Sequence, residues 1–282
     1  MDNIIQKNIH DEEICIITLN RPDVLNSLNR PLVEAILKSI EECQDDKSIR
    51  SIILTGNGRG FCAGADLAGG DWPIEEGWSS GKSTANAMEV GFNPLVRSIV
   101  SSKKPVISAI NGIAAGGGVG LALCADIVIA AESAKFKLVF APQLGIIPDV
   151  GASWLVPNLI GRAKANGLAL LGDDLDAKTA YDWGLIWKYV PDDELLDIAI
   201  SIAKRISDSA IRGLKAVVAA HDHAFISTLD QQLDYERDTQ EYFCDQDEFK
   251  EGVKAFIEKR KPNFRDIKNV DHINISRKSV KE

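Results

Sequence analysis

Hydrophobic and polar positions follow two rhythms in the first two-thirds of the chain. Residues 14–19 (ICIITL) form an apolar, β-branched run that stops at Asn20-Arg21-Pro22, which predicts a strand closed by a turn. Within 31–43, Leu32, Ile36, Leu37 and Ile40 recur at helical spacing behind Pro31, which predicts a helix with proline in its first turn. Residues 50–55 (RSIILT), halted by Gly56-Asn57-Gly58, predict a buried strand, and 106–110 and 127–131 predict two more. This βαβα order points to an α/β domain. Residues 68–90 carry glycines, serines, acids, Trp72 and Trp78 without a sustained period, and predict a long loop of the kind that is functional or mobile. Past Pro191 the pattern turns helical: Leu195, Leu196, Ile198, Ala199 and Ile202 share one face, and 230–259 is a long charged amphipathic stretch. From Asn263 the chain is polar and is expected to be poorly ordered.

Composition narrows the classes of function. The 282 residues are 45% hydrophobic, enough for a large core, and 41 acids against 32 bases leave a net charge of -9. That balance speaks against a nucleic-acid partner, which normally meets a basic face. The five cysteines are scattered, odd in number and never spaced CxxC, which fits reduced thiols better than disulfides or a zinc site. The first residues are polar and acidic, with no apolar signal core. The longest apolar stretch, 119–131, is broken by Gly120 and Asp126 and is too short for a membrane span. The expectation is a soluble cytoplasmic protein without metal. Gly81-Lys82-Ser83 fails as a phosphate loop because Glu76 stands where its first glycine belongs, and no GxGxxG, HExxH or GxSxG is present. His221 and His223 lie two apart in a predicted helix, share no face, and read as surface histidines.

Two glycine regions need a reason. Gly116-Gly117-Gly118 follows a predicted strand, and so does GRGFCAGADL at 58–67. Tight backbone packing would explain both. Equally, two turns carrying bare amides could aim at one oxygen, as in an oxyanion hole.

At these residues the chain resembles the crotonase (enoyl-CoA hydratase/isomerase) superfamily. The resemblance runs from about residue 14 to 264 and rests on LNRPDVLNSLN (19–29), GRGFCAGADL (58–67), KPVISAINGIAAGGGVGLALCADIVIA (104–130), LGIIPDVGASWLVP (144–157) and EGVKAFIEKRKPNF (251–264). Residues 133–190 most resemble the epoxyphenylacetyl-CoA isomerases of phenylacetate breakdown. The resemblance implies an α/β ββα spiral with two roughly perpendicular sheets over 1–200 and a C-terminal helical trimerisation region over 201–265. A polar tail at 266–282 would follow. It also implies homotrimers, often stacked as hexamers, and an acyl-CoA thioester substrate that brings its own coenzyme A, with no separate cofactor. By the same resemblance the backbone N–H groups of Ala65 and Gly117 hold the thioester oxygen. Proton loss α or γ to a thioester loads negative charge onto that oxygen, and one such donor typically contributes about 3–4 kcal/mol.

The family's hydratases carry two catalytic glutamates, and the matching positions here are Gly120 and Ala141. Water addition needs one group to activate water and one to deliver a proton, and neither residue does either. Asp149, after Pro148, matches the catalytic aspartate of dienoyl-CoA and epoxyphenylacetyl-CoA isomerases and of chlorobenzoyl-CoA dehalogenases; by itself it also reads as a turn or helix-capping residue before 150–155. The dehalogenase reading needs a histidine near the glycine triplet, and His10, His221, His223 and His272 are all remote in sequence. The expected function is an acyl-CoA isomerase in which Asp149 shuttles a proton along the acyl chain, whether by opening a ring epoxide or by moving a 3-double bond to the 2-position. A hydratase and a non-catalytic acyl-CoA binder are the alternatives. For coenzyme A the resemblance suggests Arg21 near its entrance, Ala63, Asp66 and Leu67 around the adenine, and Phe256 and Lys259 reaching a neighbouring subunit's CoA. Lys259-Arg260-Lys261 also reads as a solvated helix end. Trp72 and Trp78 read either as a cover for the acyl group or as loop anchors.

Overall fold

The computed structural model describes residues 4–72 and 74–267. The chain opens with a hairpin of β1 (Ile5–His10) and β2 (Ile14–Leu19), then α1 (Arg30–Asp45). Asn29 starts α1 by accepting the Leu32 N–H at 3.1 Å, and Leu32, Val33, Ile36 and Ile40 bury its inner face. Next come β3 (Ser51–Gly56) and β4 (Gly60–Cys62), then α2 (Ser80–Ala87), which runs through a π-helical turn at Met88–Phe92 into α3 (Asn93–Val100). The pattern then repeats: β5 (Val106–Ile110), β6 (Ile113–Ala115) and α4 (Gly117–Leu123); β7 (Ile127–Ala131), β8 (Lys135–Lys137) and, past a π-helical turn at Phe140–Leu144, α5 (Ala152–Ile160). Completing the body are α6 (Arg162–Leu171), β9 (Leu175–Asp176), α7 (Ala177–Trp183), β10 (Lys188–Val190) and α8 (Leu195–Ser207). Three helices end the described chain: α9 (Ile211–Ala224), α10 (Leu229–Cys244) and α11 (Asp247–Glu258).

Each strand–strand–helix repeat sends its first strand to one sheet and its second to another. The larger sheet has the order β1-β2-β3-β5-β7-β10, parallel except for β1; the smaller has the order β4-β6-β8-β9, parallel except for β9. The strands β2, β3 and β5 are buried almost throughout, which is why they read as continuous apolar runs.

Three expectations change. Residues 80–92 are helical rather than loop: Ser79 accepts the Lys82 N–H at 3.2 Å and starts α2, but only Ala87, Gly91 and Phe92 are buried, too few to mark a period. The stretch 230–259 is two helices, separated at Asp245-Gln246, with α10 opened by a Thr228/Gln231 capping box. The start of the polar tail is tied down: Arg265 binds both carboxylate oxygens of Glu13 (3.0 and 2.6 Å) and Asp208 at 2.9 Å. Residues 268–282, including His272, lie outside the described residues. The division expected at residue 200 falls inside α8.

Candidate active site

The segment 63–66 is zipped onto 25–28 by backbone hydrogen bonds. Ala63 donates to the Leu25 carbonyl (2.9 Å), Leu28 to the Gly64 carbonyl (2.7 Å) and Asp66 to the Leu28 carbonyl (3.0 Å), which makes a parallel bridge between Leu28 and Ala65. A parallel bridge uses the peptide groups on either side of Ala65, so Ala65's own N–H faces away and donates to nothing among the described residues. Gly117 opens α4, and its N–H is one of the first-turn donors a helix leaves unpaired. The two turns touch. A β-carbon on Gly64, whose φ is +92°, would stand 2.8 Å from the Ala115 carbonyl oxygen and 3.0 Å from the Gly117 nitrogen. Only glycine allows that conformation and that approach.

Asp149, in the turn before α5, reaches the same place. A β-carbon on Gly117 would lie 3.3 Å from Asp149 Oδ1 and 2.8 Å from Val150 Cγ2. Burial pushes the Asp149 carboxyl up to about 6, against the weaker pull of its own backbone N–H. Of the local explanations for this residue, the turn fits and the side-chain cap does not. Gly151 stands at the N-cap of α5, and Asp149 contributes only its backbone carbonyl, which accepts the Ala152 N–H at 2.9 Å. Val150 is buried with φ of +50°, an outlier for a β-branched residue. It packs beside Asp149 against Gly117 and Gly120 of α4.

The positions where a hydratase would place its glutamates offer no carboxyl. A β-carbon on Gly120 would collide with the Val150 carbonyl oxygen, and Ala141 is exposed in the π-helical turn.

Of the residues suggested for coenzyme A, Arg21, Ala63, Asp66 and Leu67 lie at the paired segments 21–28 and 63–67, and Phe256 and Lys259 lie on α11 and at its C-terminal end. Arg21 turns inward: it donates to Asp66 Oδ2 at 2.9 Å and to the Ser27 carbonyl at 2.5 Å. The Ala63 N–H is spent on Leu25, while Leu67 is 78% exposed and available. Phe256 is 85% exposed, Lys259 ends α11 with φ of +54°, and α11 packs principally on α10 rather than on α4. Of the adjacent bases, Arg260 is held by Glu251 (2.6 and 2.9 Å) and Glu258 (2.6 Å). Trp72 acts as a loop anchor: its ring meets Phe92 edge-on at 5.0 Å and fills the notch that Gly91 leaves bare. Trp78 carries Lys82 over its ring at 4.8 Å. His223 stacks on Tyr235 with ring centroids 4.4 Å apart and bonds Gln232 at 2.7 Å, a structural rather than surface histidine. No group of metal-ligating side chains occurs among the described residues, and none of their helices is long and apolar enough to cross a membrane.

Two residues of this site escaped the reading of the sequence. Asn26 is fully buried, has φ of +56°, accepts the Arg21 N–H (2.8 Å) and donates to the Asn57 and Gly60 carbonyls (3.0 and 2.8 Å). Its signal was present, since asparagine tolerates left-handed backbone better than most residues. Val150 carried no such signal.

Comparison with known proteins decides the family once these turns are in view. The chain belongs to the enoyl-CoA hydratase/isomerase family. The family's model matches residues 10–268. The chain is 44% identical to 1,2-epoxyphenylacetyl-CoA isomerase of Escherichia coli (strain K12), over 90% of this chain and 95% of that protein. It is 35% identical to crotonyl-CoA hydratase of Syntrophomonas wolfei, over 93% and 98%. Among solved structures, enoyl-CoA hydratase from Bacillus anthracis superposes with a TM-score of 0.84 at 32% identity, over 93% of this chain and 99% of that one. The α/β crotonase fold implied by the sequence motifs is therefore the fold of this enoyl-CoA hydratase/isomerase family member, with two mixed sheets and C-terminal helices.

Proposed function

We propose that this enzyme is an acyl-CoA isomerase. The thioester oxygen is received by the Ala65 and Gly117 N–H groups, and Asp149 moves the proton. The observation that carries this reading is the place and state of Asp149: its Oδ1 lies over Gly117, and burial raises its carboxyl to about 6. A carboxyl poised there gives up and takes back a proton with similar ease near neutral pH. In a 3-enoyl thioester, Asp149 takes a proton from C2. The electron pair spreads onto the thioester oxygen, where the two amides stabilise it. The same proton returns at C4, and the double bond ends between C2 and C3. Nothing is added and nothing leaves, so one acid suffices. The similarity to an epoxyphenylacetyl-CoA isomerase supports testing an aromatic epoxide thioester beside the enoyl substrate.

Asp149→Asn, assayed with a 3-enoyl-CoA and with an aromatic epoxide thioester, tests the reading. Loss of turnover on either supports it, and a variant as fast as the parent overturns it. Brisk hydration of crotonyl-CoA by the parent would restore the hydratase reading. Absence of isotope exchange into any acyl chain would leave a non-catalytic binder.

The assembly belongs to the same proposal. Exposed apolar residues on α10 and α11, including Leu229, Leu233, Phe256 and Ile257, suit a homotrimer or homohexamer in which Phe256 and Lys259 meet a neighbour's coenzyme A. Four buried free thiols, Cys15, Cys43, Cys62 and Cys124, suit a reducing cytoplasm.

A further inference from the structure

Arg21 has the charge and the place of a phosphate ligand, yet its guanidinium is committed elsewhere. The Ala65 N–H belongs to the peptide plane whose carbonyl is Gly64 O. In a trans peptide the two point in opposite directions, so whatever holds that carbonyl aims the N–H. The holder is the Leu28 N–H, at 2.7 Å. Arg21 spans this bridge. One of its nitrogens takes the Ser27 carbonyl on the Leu28 side and the other takes Asp66 Oδ2 on the Ala65 side. Both ends of the ion pair are mostly shielded, with side-chain exposures of 19% and 11%.

The partner carboxylate is fully engaged. Asp66 Oδ1 accepts the Ala68 and Gly69 N–H groups at 3.2 and 2.9 Å. Burial alone would raise this carboxyl, but Arg21 and the Gly69 and Ala68 amides together hold it below the usual carboxylate range. On the other side, Asn26 accepts the Arg21 N–H and anchors that turn to the Asn57 and Gly60 carbonyls. The guanidinium thus adds a side-chain tie to the three backbone hydrogen bonds that join segments 25–28 and 63–66.

We infer that Arg21 and Asp66 are positioning residues that aim the Ala65 N–H by riveting segment 63–66 to segment 25–28, and that Arg21 is not a ligand of the coenzyme's phosphates. The inference rests on the proposed role of Ala65 as an oxyanion donor. A fork-shaped guanidinium suits the task because it satisfies two acceptors at a set angle, which an ammonium does not. Displacement of a donor by about 1 Å is the kind of fault that costs roughly 100-fold in rate.

The test compares Arg21→Met, Arg21→Lys and Asp66→Asn on two substrates: an acyl-CoA and the same acyl group on pantetheine, which lacks the nucleotide and its phosphates. A rivet predicts that Arg21→Met and Asp66→Asn lower kcat by about 100-fold on both substrates. KM should move little, and Arg21→Lys should recover part of the loss. A phosphate ligand predicts instead a raised KM with acyl-CoA alone and no effect of Arg21→Met on the pantetheine thioester, which would overturn the inference. The second readout is the infrared carbonyl stretch of a bound saturated acyl-CoA, which does not react. The parent should shift it to lower wavenumber, and both Arg21→Met and Asp66→Asn should shift it less. No shift in the parent would mean that the oxyanion reading itself fails. A full shift in the parent kept intact in the variants would mean that only the rivet fails. Should Arg21→Met not fold, the near-isosteric Asp66→Asn carries the comparison.

Discussion

The helix α4 and the helices α9–α11 show how differently one chain can finish its parts. All seven residues of α4 are buried, pressed on one side by Cys62 and on the other by Val150, so its glycines stand where any larger side chain would collide. By contrast, α10 buries only Tyr235 of its sixteen residues and α11 only Glu248 and Ala255. Polar ties hold this region: Lys215 to Asp126 at 2.7 Å, Arg212 to Glu248 at 2.6 Å, and Arg265 to Glu13. Between α9, α10 and α11 lies an apolar groove of about 560 Å³, lined by Phe243, Phe249, Val253 and Phe264. Close packing suits the proposed task of holding two amides and a carboxyl at set positions. Polar ties with spare apolar surface suit the proposed completion of this region by another subunit.

If that contrast holds, changes in the two regions separate chemistry from assembly. Asp149→Asn is expected to lower isomerase kcat by about 10²–10⁴-fold, the usual worth of a general base, with unchanged circular dichroism and oligomer mass. Gly120→Glu, which would supply a hydratase's missing acid, is expected instead to force Val150 out of place. The cost is about 3 kcal/mol of stability, read as a lower melting temperature, with no hydration of crotonyl-CoA. A stable, hydrating Gly120→Glu variant would refute the tight-packing half of the comparison.

Arg212→Met leaves Glu248 buried without its main partner, at a cost of about 3 kcal/mol. Hydrogen exchange should quicken in α9–α11 and stay slow in β3 and β5; uniform quickening would show the two regions to be one cooperative unit.

The pH dependence has a definite sign. The Asp149 carboxyl is raised from 3.8 to about 6 in the folded chain, so between those values the folded state holds a proton that the unfolded state has lost. Stability therefore falls as pH rises from about 4 to about 6 and stays lower above. At about 1.36 kcal/mol per unit, discounted for partial exposure, the cost is about 1–2 kcal/mol. Asp149→Asn should accordingly melt higher than the parent at pH 8 and alike below pH 4, while the parent's kcat/KM rises with pH through about 6. The smallest effect on the fold is expected from Phe256→Asp: less than about 0.5 kcal/mol on the protomer, but a fall in mass by sedimentation to a smaller species.

Much of the fold was legible because continuous apolar, β-branched runs mean buried strands wherever they sit. The runs 14–19, 106–110 and 127–131 became β2, β5 and β7 at those bounds. The helix at 80–87 was not legible, since only one of its eight residues is buried and a local serine cap starts it. Nor was the break at Asp245-Gln246, where charged residues continue on both sides. The Arg21–Asp66 pair was hidden for a related reason. A base in a turn looks free for phosphate until the chain brings Asp66, forty-five residues later, to its side.

Chemistry by subtraction was already written in the order of residues: no acid at 120 or 141, one at 149, and glycines where two turns must meet. Those are statements about which groups exist, and folding does not alter them. Where Asp149 points, how far burial raises its carboxyl, and what Arg21 holds depend on neighbours remote in the chain. Burial and aim are properties of packed surroundings, and those come into being only when the sheets and helices close on one another.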